Sequence, residues 1–158
     1  MDEVTETIIL TSLVQTVAIT LTLIVLIFQF RSQEKAIKES SYQNLMGRYN
    51  DFMLMQAEKP ELNKLLRDQL QSHSTRKITR TDTPVVSNLL IAYGIIEEAF
   101  LLYMKKWIDE ETWGQWAAWL KDLSRHPRFD LIHTTMKGQF DKHFEEYVAK
   151  VLENHPHE

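Results

Sequence analysis

Two adjacent carboxylates, Glu97 and Glu98, interrupt an otherwise apolar stretch, "IAYGIIEEAFLLYM", residues 91 to 104. A carboxylate inside such a stretch must be paired, protonated or metal-bound, because desolvating it alone is costly. Arg48 is the cation best placed to answer it, so Arg48, Glu97 and Glu98 form a candidate buried ion pair. The histidines offer a second chemistry. His133 or His143 with these carboxylates would give the nitrogen and oxygen ligands of a di-iron helical site, and His143 and Glu146 lie three apart on one helix face. Such sites use paired Glu-x-x-His motifs, and neither Glu97 nor Glu98 begins one, so no metal and no cofactor is assigned. Asp130 with His133 reads as a surface pair and the terminal "HPHE" as a frayed tail.

Other catalytic signatures are missing from the chain. Its four glycines, Gly47, Gly94, Gly114 and Gly138, are isolated, which excludes a P-loop and a dinucleotide fingerprint. There is no His-Glu-x-x-His, no Gly-x-Ser-x-Gly and no cysteine, so zincin, nucleophile-elbow and thiolate chemistry are excluded together. The sequence is therefore read as non-enzymatic.

A different polar pattern lies near the amino terminus. From Ile8 to Phe30 run 23 uncharged residues, which as a helix reach about 34 Å, slightly more than a bilayer's hydrocarbon core. Within this run Thr11, Gln15, Ala18, Thr22, Val25 and Gln29 recur at alternating spacings of four and three, on one helix face. In lipid such a face suits close approach of a second helix, so it is read as a self-association surface. The rival reading is transport: the same face as the wall of a homo-oligomeric cation channel, with Asp2, Glu3 and Glu6 as an outer acidic ring. Against both stands plain anchoring, since Thr and Ser hydroxyls can bond back to their own backbone, and Thr5, Ser12, Thr16 and Thr20 make a second polar set on another face.

Charge sets the expected orientation. The net charge is -4, and Asp2, Glu3 and Glu6 precede the apolar run while Arg31, Lys35 and Lys38 follow it. An acidic start and a long run ending in Phe28, Gln29 and Phe30 do not fit a cleavable signal peptide. Lys and Arg favour the cytoplasmic side, which predicts the amino terminus outside the cell membrane and the carboxyl-terminal part in the cytoplasm. The expected partners are the lipid bilayer, further copies of the chain and a cytoplasmic protein. The 18 Lys and Arg are too few beside 22 Asp and Glu for a nucleic-acid binder.

The elements that must position these residues all read as helices. After an acidic stretch, 1–7, the spanning helix, 8–30, continues through a polar stalk, 31–41, into a cytoplasmic antiparallel helical bundle, 42–153, and a disordered tail, 154–158. Tyr42, Leu45, Tyr49 and Phe52 extend the first helix to about Glu58, where Lys59-Pro60 ends it. A short helix, "PELNKLLRDQL", and a solvated loop over 72–83 with Arg76, Lys77 and Arg80 follow. Thr83-Pro84 caps a strong helix with the seam Leu89, Tyr93, Ile96, Phe100, Tyr103 and Trp107, expected to end near Lys106 or Trp107. Asp109 should cap the next, stapled by Ile108 on Trp113, with Trp113, Trp116, Leu120 and Leu123 inward and Trp119 at the surface. A final helix, started by Pro127, carries Phe129, Ile132, Met136, Phe140, Phe144, Tyr147 and Val151 to about Glu153. No alternating β-branched run supports a sheet.

Overall fold

The computed structural model describes residues 3–59, 83–126 and 128–154. The expected short helix after Pro60, the loop with Arg76, Lys77 and Arg80, Pro127 and the tail from His155 lie outside the described residues. Every regular element described is an α-helix: α1 (Glu3–Glu58), α2 (Thr83–Met104), α3 (Glu110–Ser124), α4 (Phe129–Thr135) and α5 (Lys142–Asn154). Contacts divide the chain into two units, Met1–Ser40 and Ser41–Glu158.

The first unit is the leading part of α1. Its apolar side chains have no partner among the described residues: between Ile8 and Phe30 the large hydrophobics are 40% (Leu26) to 67% (Phe28) exposed. A helix this long and apolar is a candidate membrane span near the amino terminus. Beyond it, Glu34 with Lys38 and Lys35 with Glu39 form pairs four residues apart on the helix surface. The Lys38 ammonium beside Glu34 holds that carboxyl below its ordinary range.

The second unit closes a core of its own. Leu45 and Phe52 from α1 join Tyr93, Ile96 and Phe100 from α2, Trp113, Trp116 and Leu120 from α3, Phe129 from α4, and Phe144 and Val148 from α5 in one apolar cluster. The seam read from the sequence is thus the buried side of α2. By length and hydropathy α2 too could cross a bilayer, but more than half of its most apolar stretch is buried inside the protein. Aromatic edges fill the centre: Tyr93 meets Phe140 at 4.5 Å and Phe144 at 5.0 Å, and Phe100 meets Trp113 at 5.5 Å.

One element end differs from expectation. α2 stops at Met104 rather than at Lys106 or Trp107. The Trp107 N–H donates to the Leu102 carbonyl at 2.9 Å and the Lys106 N–H to the Tyr103 carbonyl at 2.8 Å, with Lys106 at φ 58°. This is a Schellman ending in which a lysine occupies the left-handed position usually given to glycine, and the partly buried Trp107 packs back onto the core. Asp109 then caps α3, its Oδ1 accepting the Thr112 N–H at 2.7 Å, which holds its carboxyl below the ordinary aspartate range.

The larger correction concerns the last helix. One helix was expected from Phe129 to about Glu153; two are observed, α4 and α5, separated by an elbow at 136–141. Gly138 sits there at φ 85°, a conformation closed to continuing helix. Asp141 restarts the chain by accepting the N–H groups of His143 at 2.9 Å and Phe144 at 3.2 Å. The apolar stripe survives the break because both short helices turn the same side inward: Phe129 and Phe144 are fully buried, and Phe140 and Tyr147 are partly so. Trp119 also departs from expectation. It is partly buried, with Tyr49 at 5.3 Å and Phe52 at 5.8 Å, because α1 supplies a third aromatic row beside α3.

Candidate functional site

Two regions hold the residues singled out from sequence. On the apolar part of α1 the threonine hydroxyls turn onto their own helix. Thr11 donates to the Thr7 carbonyl and Thr22 to that of Ala18, each at 2.8 Å. On the other face Thr16 donates to Ser12 and Thr20 to Thr16, again at 2.8 Å. A hydroxyl bonded four residues back is satisfied without a neighbour, so these groups place no demand on the surroundings. Gln15 and Gln29 differ. Both amides are exposed and have no hydrogen-bond partner among the described residues, while Ala18 and Val25 leave the face between them low. Asp2 and the side chains of Glu3 and Glu6 lie outside the described residues.

The second region is where α2 meets the elbow. Glu97 and Glu98, one residue apart on α2, diverge. Glu98 Oε2 accepts from Arg48 Nη1 at 2.9 Å, but the pair is open to solvent, with side chains 31% and 68% exposed. Helical spacing explains this: the α2 seam runs through Tyr93, Ile96 and Phe100, leaving both glutamates at its margins. An ion pair so exposed contributes at most about 1 kcal/mol.

Glu97 does something the sequence did not suggest. Its Oε1 accepts the Asp141 backbone N–H at 2.5 Å, fastening α2 to the start of α5. From α5, Glu145 Oε1 accepts the Gly138 N–H at 2.6 Å and the Phe140 N–H at 3.4 Å. The two carboxylates thus take the main-chain donors that the broken helix leaves unpaired. Burial pushes the Glu97 carboxyl above its ordinary range, the nearby Asp141 and Glu145 carboxylates push the same way, and the Asp141 N–H pulls partly back.

Behind Glu97, Tyr93 Oη and His133 Nδ1 share a 2.9 Å hydrogen bond between α2 and α4. Burial raises the Tyr93 phenol well above its usual value, helped by Glu145 and Glu97, and lowers His133. Both groups are therefore held neutral at physiological pH. His133 thus turns inward to Tyr93 rather than pairing outward with Asp130. His143 and Glu146, 3.9 Å apart, stay on the exposed side of α5. Among the described residues no three His, Asp or Glu side chains are placed to hold one metal ion. Comparison with known proteins finds no matching family model, and no curated protein or solved structure similar to the chain.

Glu145 and Tyr93 are the functional-looking residues that sequence reasoning did not single out as polar. A signal for the first was present: Gly138 followed three residues later by Asp141 is a helix stop and a helix start. The unbroken apolar stripe masked it.

Proposed function

We propose that the protein is a single-pass membrane protein whose residues 42–153 form a cytoplasmic antiparallel helical bundle serving as a non-enzymatic interaction or sensory module. The observation that carries this reading is the contrast between two apolar populations. The second unit has wholly or partly buried its Tyr, Trp and Phe side chains, whereas the 23-residue run from Ile8 exposes every large hydrophobic it has. Such a surface needs a cover that the described residues do not supply, and a bilayer is the cover its length fits. The acidic residues before the run and Arg31, Lys35 and Lys38 after it favour the amino terminus outside.

Self-association through the face of Thr11, Gln15, Ala18, Thr22, Val25 and Gln29 belongs to the same reading. Its support is Gln15, whose amide lies inside the run without a partner and can both donate to and accept from the same residue of a second copy. The threonines add no such demand, which favours a packed seam over a water-lined wall.

Full-length protein in native membranes is expected to resist an alkaline wash, to place a carboxyl-terminal reporter in the cytoplasm, and to run larger than a monomer in mild detergent. Gln15→Leu together with Thr22→Leu should shift that assembly toward monomer. Extraction by the wash ends the membrane reading. Cation flux in proteoliposomes, abolished by Gln15→Leu, would replace the module by a channel.

A further inference from the structure

Among the described residues, the elbow between α4 and α5 gathers more negative charge than its contacts neutralise. Glu97 comes from α2, Asp141 from the elbow and Glu145 from α5, and each accepts main-chain N–H groups within residues 138–144. The other titratable groups around them are Tyr93 on α2, His133 and Asp130 on α4, and Lys137 in the elbow. Tyr93 and His133 are bound to each other and neutral, and Lys137 acts on His133. The remaining nearby charges are committed elsewhere: Lys142 lies 3.8 Å from Glu146, and Arg48 holds Glu98. No cation contacts the carboxyl of Glu97 among the described residues.

Three carboxylates sharing one turn cannot all be ionised without mutual repulsion, and Glu97, which receives one N–H where Asp141 and Glu145 each receive two, is the one a proton most readily relieves. A neutral Glu97 still accepts the Asp141 N–H through its carbonyl oxygen and acquires an O–H to donate. We infer that the elbow is a proton-operated latch: uptake of one proton by Glu97 tightens the attachment of α2 to the elbow and α5, and its release loosens them. The latch is a property of the second unit and stands without the membrane reading.

The sign follows from linkage. Glu97 has a folded-state value above its ordinary 4.5, so the added stability is complete below that value and is lost as pH rises through the folded-state value. His133 is displaced the opposite way and opposes the effect in acid, so the contribution of Glu97 must be read as a difference between two proteins.

The experiment is amide hydrogen exchange at Gly138, Phe140 and Asp141 of the full-length chain in neutral detergent micelles, corrected for intrinsic rates, between about pH 4 and pH 8. Glu97→Gln, a permanent mimic of the protonated group, is expected to be several-fold better protected than the wild type at the upper end, with the gap closing at the lower end. A gap of constant size, or one of opposite sign, overturns the latch. An independent check needs no variant: the Glu97 carboxyl carbon, followed by NMR in the wild type, should titrate above the chain's solvent-exposed glutamates. Titration with them or below them also overturns it.

Discussion

Leu21 and Leu45 are the same residue on the same helix, yet Leu21 is 58% exposed and Leu45 is fully buried. What separates them is what the chain offers as a neighbour. Leu45 belongs to one apolar cluster with side chains from α2 and α3; around Leu21 the described residues offer nothing. Residue type alone cannot distinguish these cases, since both are leucines on one helix. Periodicity can: near Leu45 apolar residues return every three or four positions and leave a polar side, whereas from Ile8 to Phe30 they occupy nearly all sides.

The strongest way to break this comparison is to truncate both leucines. Leu45→Ala should lower the stability of the second unit by about 2–5 kcal/mol, the usual range for a buried leucine whose neighbours collapse only partly into the space. Leu21→Ala should leave that stability within about 0.5 kcal/mol. Urea unfolding of the full-length protein in detergent, followed by fluorescence of its four tryptophans, reads the second unit directly, because Trp107, Trp113, Trp116 and Trp119 all lie in it. Equal effects from the two substitutions would mean that the apolar run also packs on the protein.

The same contrast explains which features could be read from the sequence. Helix class, the end of α1 at Glu58, the Asp109 cap and the inward stripes follow from local rules: spacing, proline and capping side chains. The elbow did not, because there two local rules disagreed. The stripe from Phe129 to Val151 argued for continuity, while Gly138 and Asp141 argued for a break, and tertiary contacts from Glu97 and Glu145 tipped the balance. Glu97 and Glu98 were recognised as out of place, and Glu98 does meet Arg48, though in the open; the partner of Glu97 was missed, because sequence shows the charge of a side chain, not the unpaired backbone N–H groups near it. Trp119 was misjudged for a similar reason, since its cover comes from Tyr49 and Phe52, distant in the chain.

A smaller effect sharpens the contrast through pH. Nothing in the apolar run titrates, whereas the second unit holds a buried imidazole. His133 is held neutral by burial, with a folded-state value below its ordinary 6.5. Its contribution is therefore complete above that value and is lost as pH falls through the lower folded-state one. His133→Gln keeps a hydrogen-bonding group toward Tyr93 but cannot take a proton. The variant should unfold at lower urea than the wild type near neutral pH, and the difference in midpoint should narrow as pH falls toward about 5. A difference that widens instead would mean that the imidazole is charged in the fold, pairing outward with Asp130 rather than inward with Tyr93.

The smallest effect concerns backbone geometry. Both positive-φ positions among the described residues, Lys106 at 58° and Gly138 at 85°, lie in the second unit, where packing decides the path of the chain. The apolar run has only regular helix, as expected where no tertiary contact competes with the helical hydrogen bonds. At Lys106 the left-handed conformation places Cβ against the following carbonyl, at a cost of about 1–2 kcal/mol that glycine avoids. Glycine gives back part of this through the greater freedom of its unfolded chain. Lys106→Gly should therefore stabilise the second unit by up to about 1 kcal/mol and raise its melting temperature by a few degrees. Lys35→Gly, the same exchange on the exposed helical face of the first unit, should act in reverse and reduce helicity there, because glycine is the poorer helix former by about 1 kcal/mol. Opposite signs from one substitution would show that the Trp107 turn, rather than lysine's own preference, sets the ending of α2; equal signs would remove the Schellman geometry from this account.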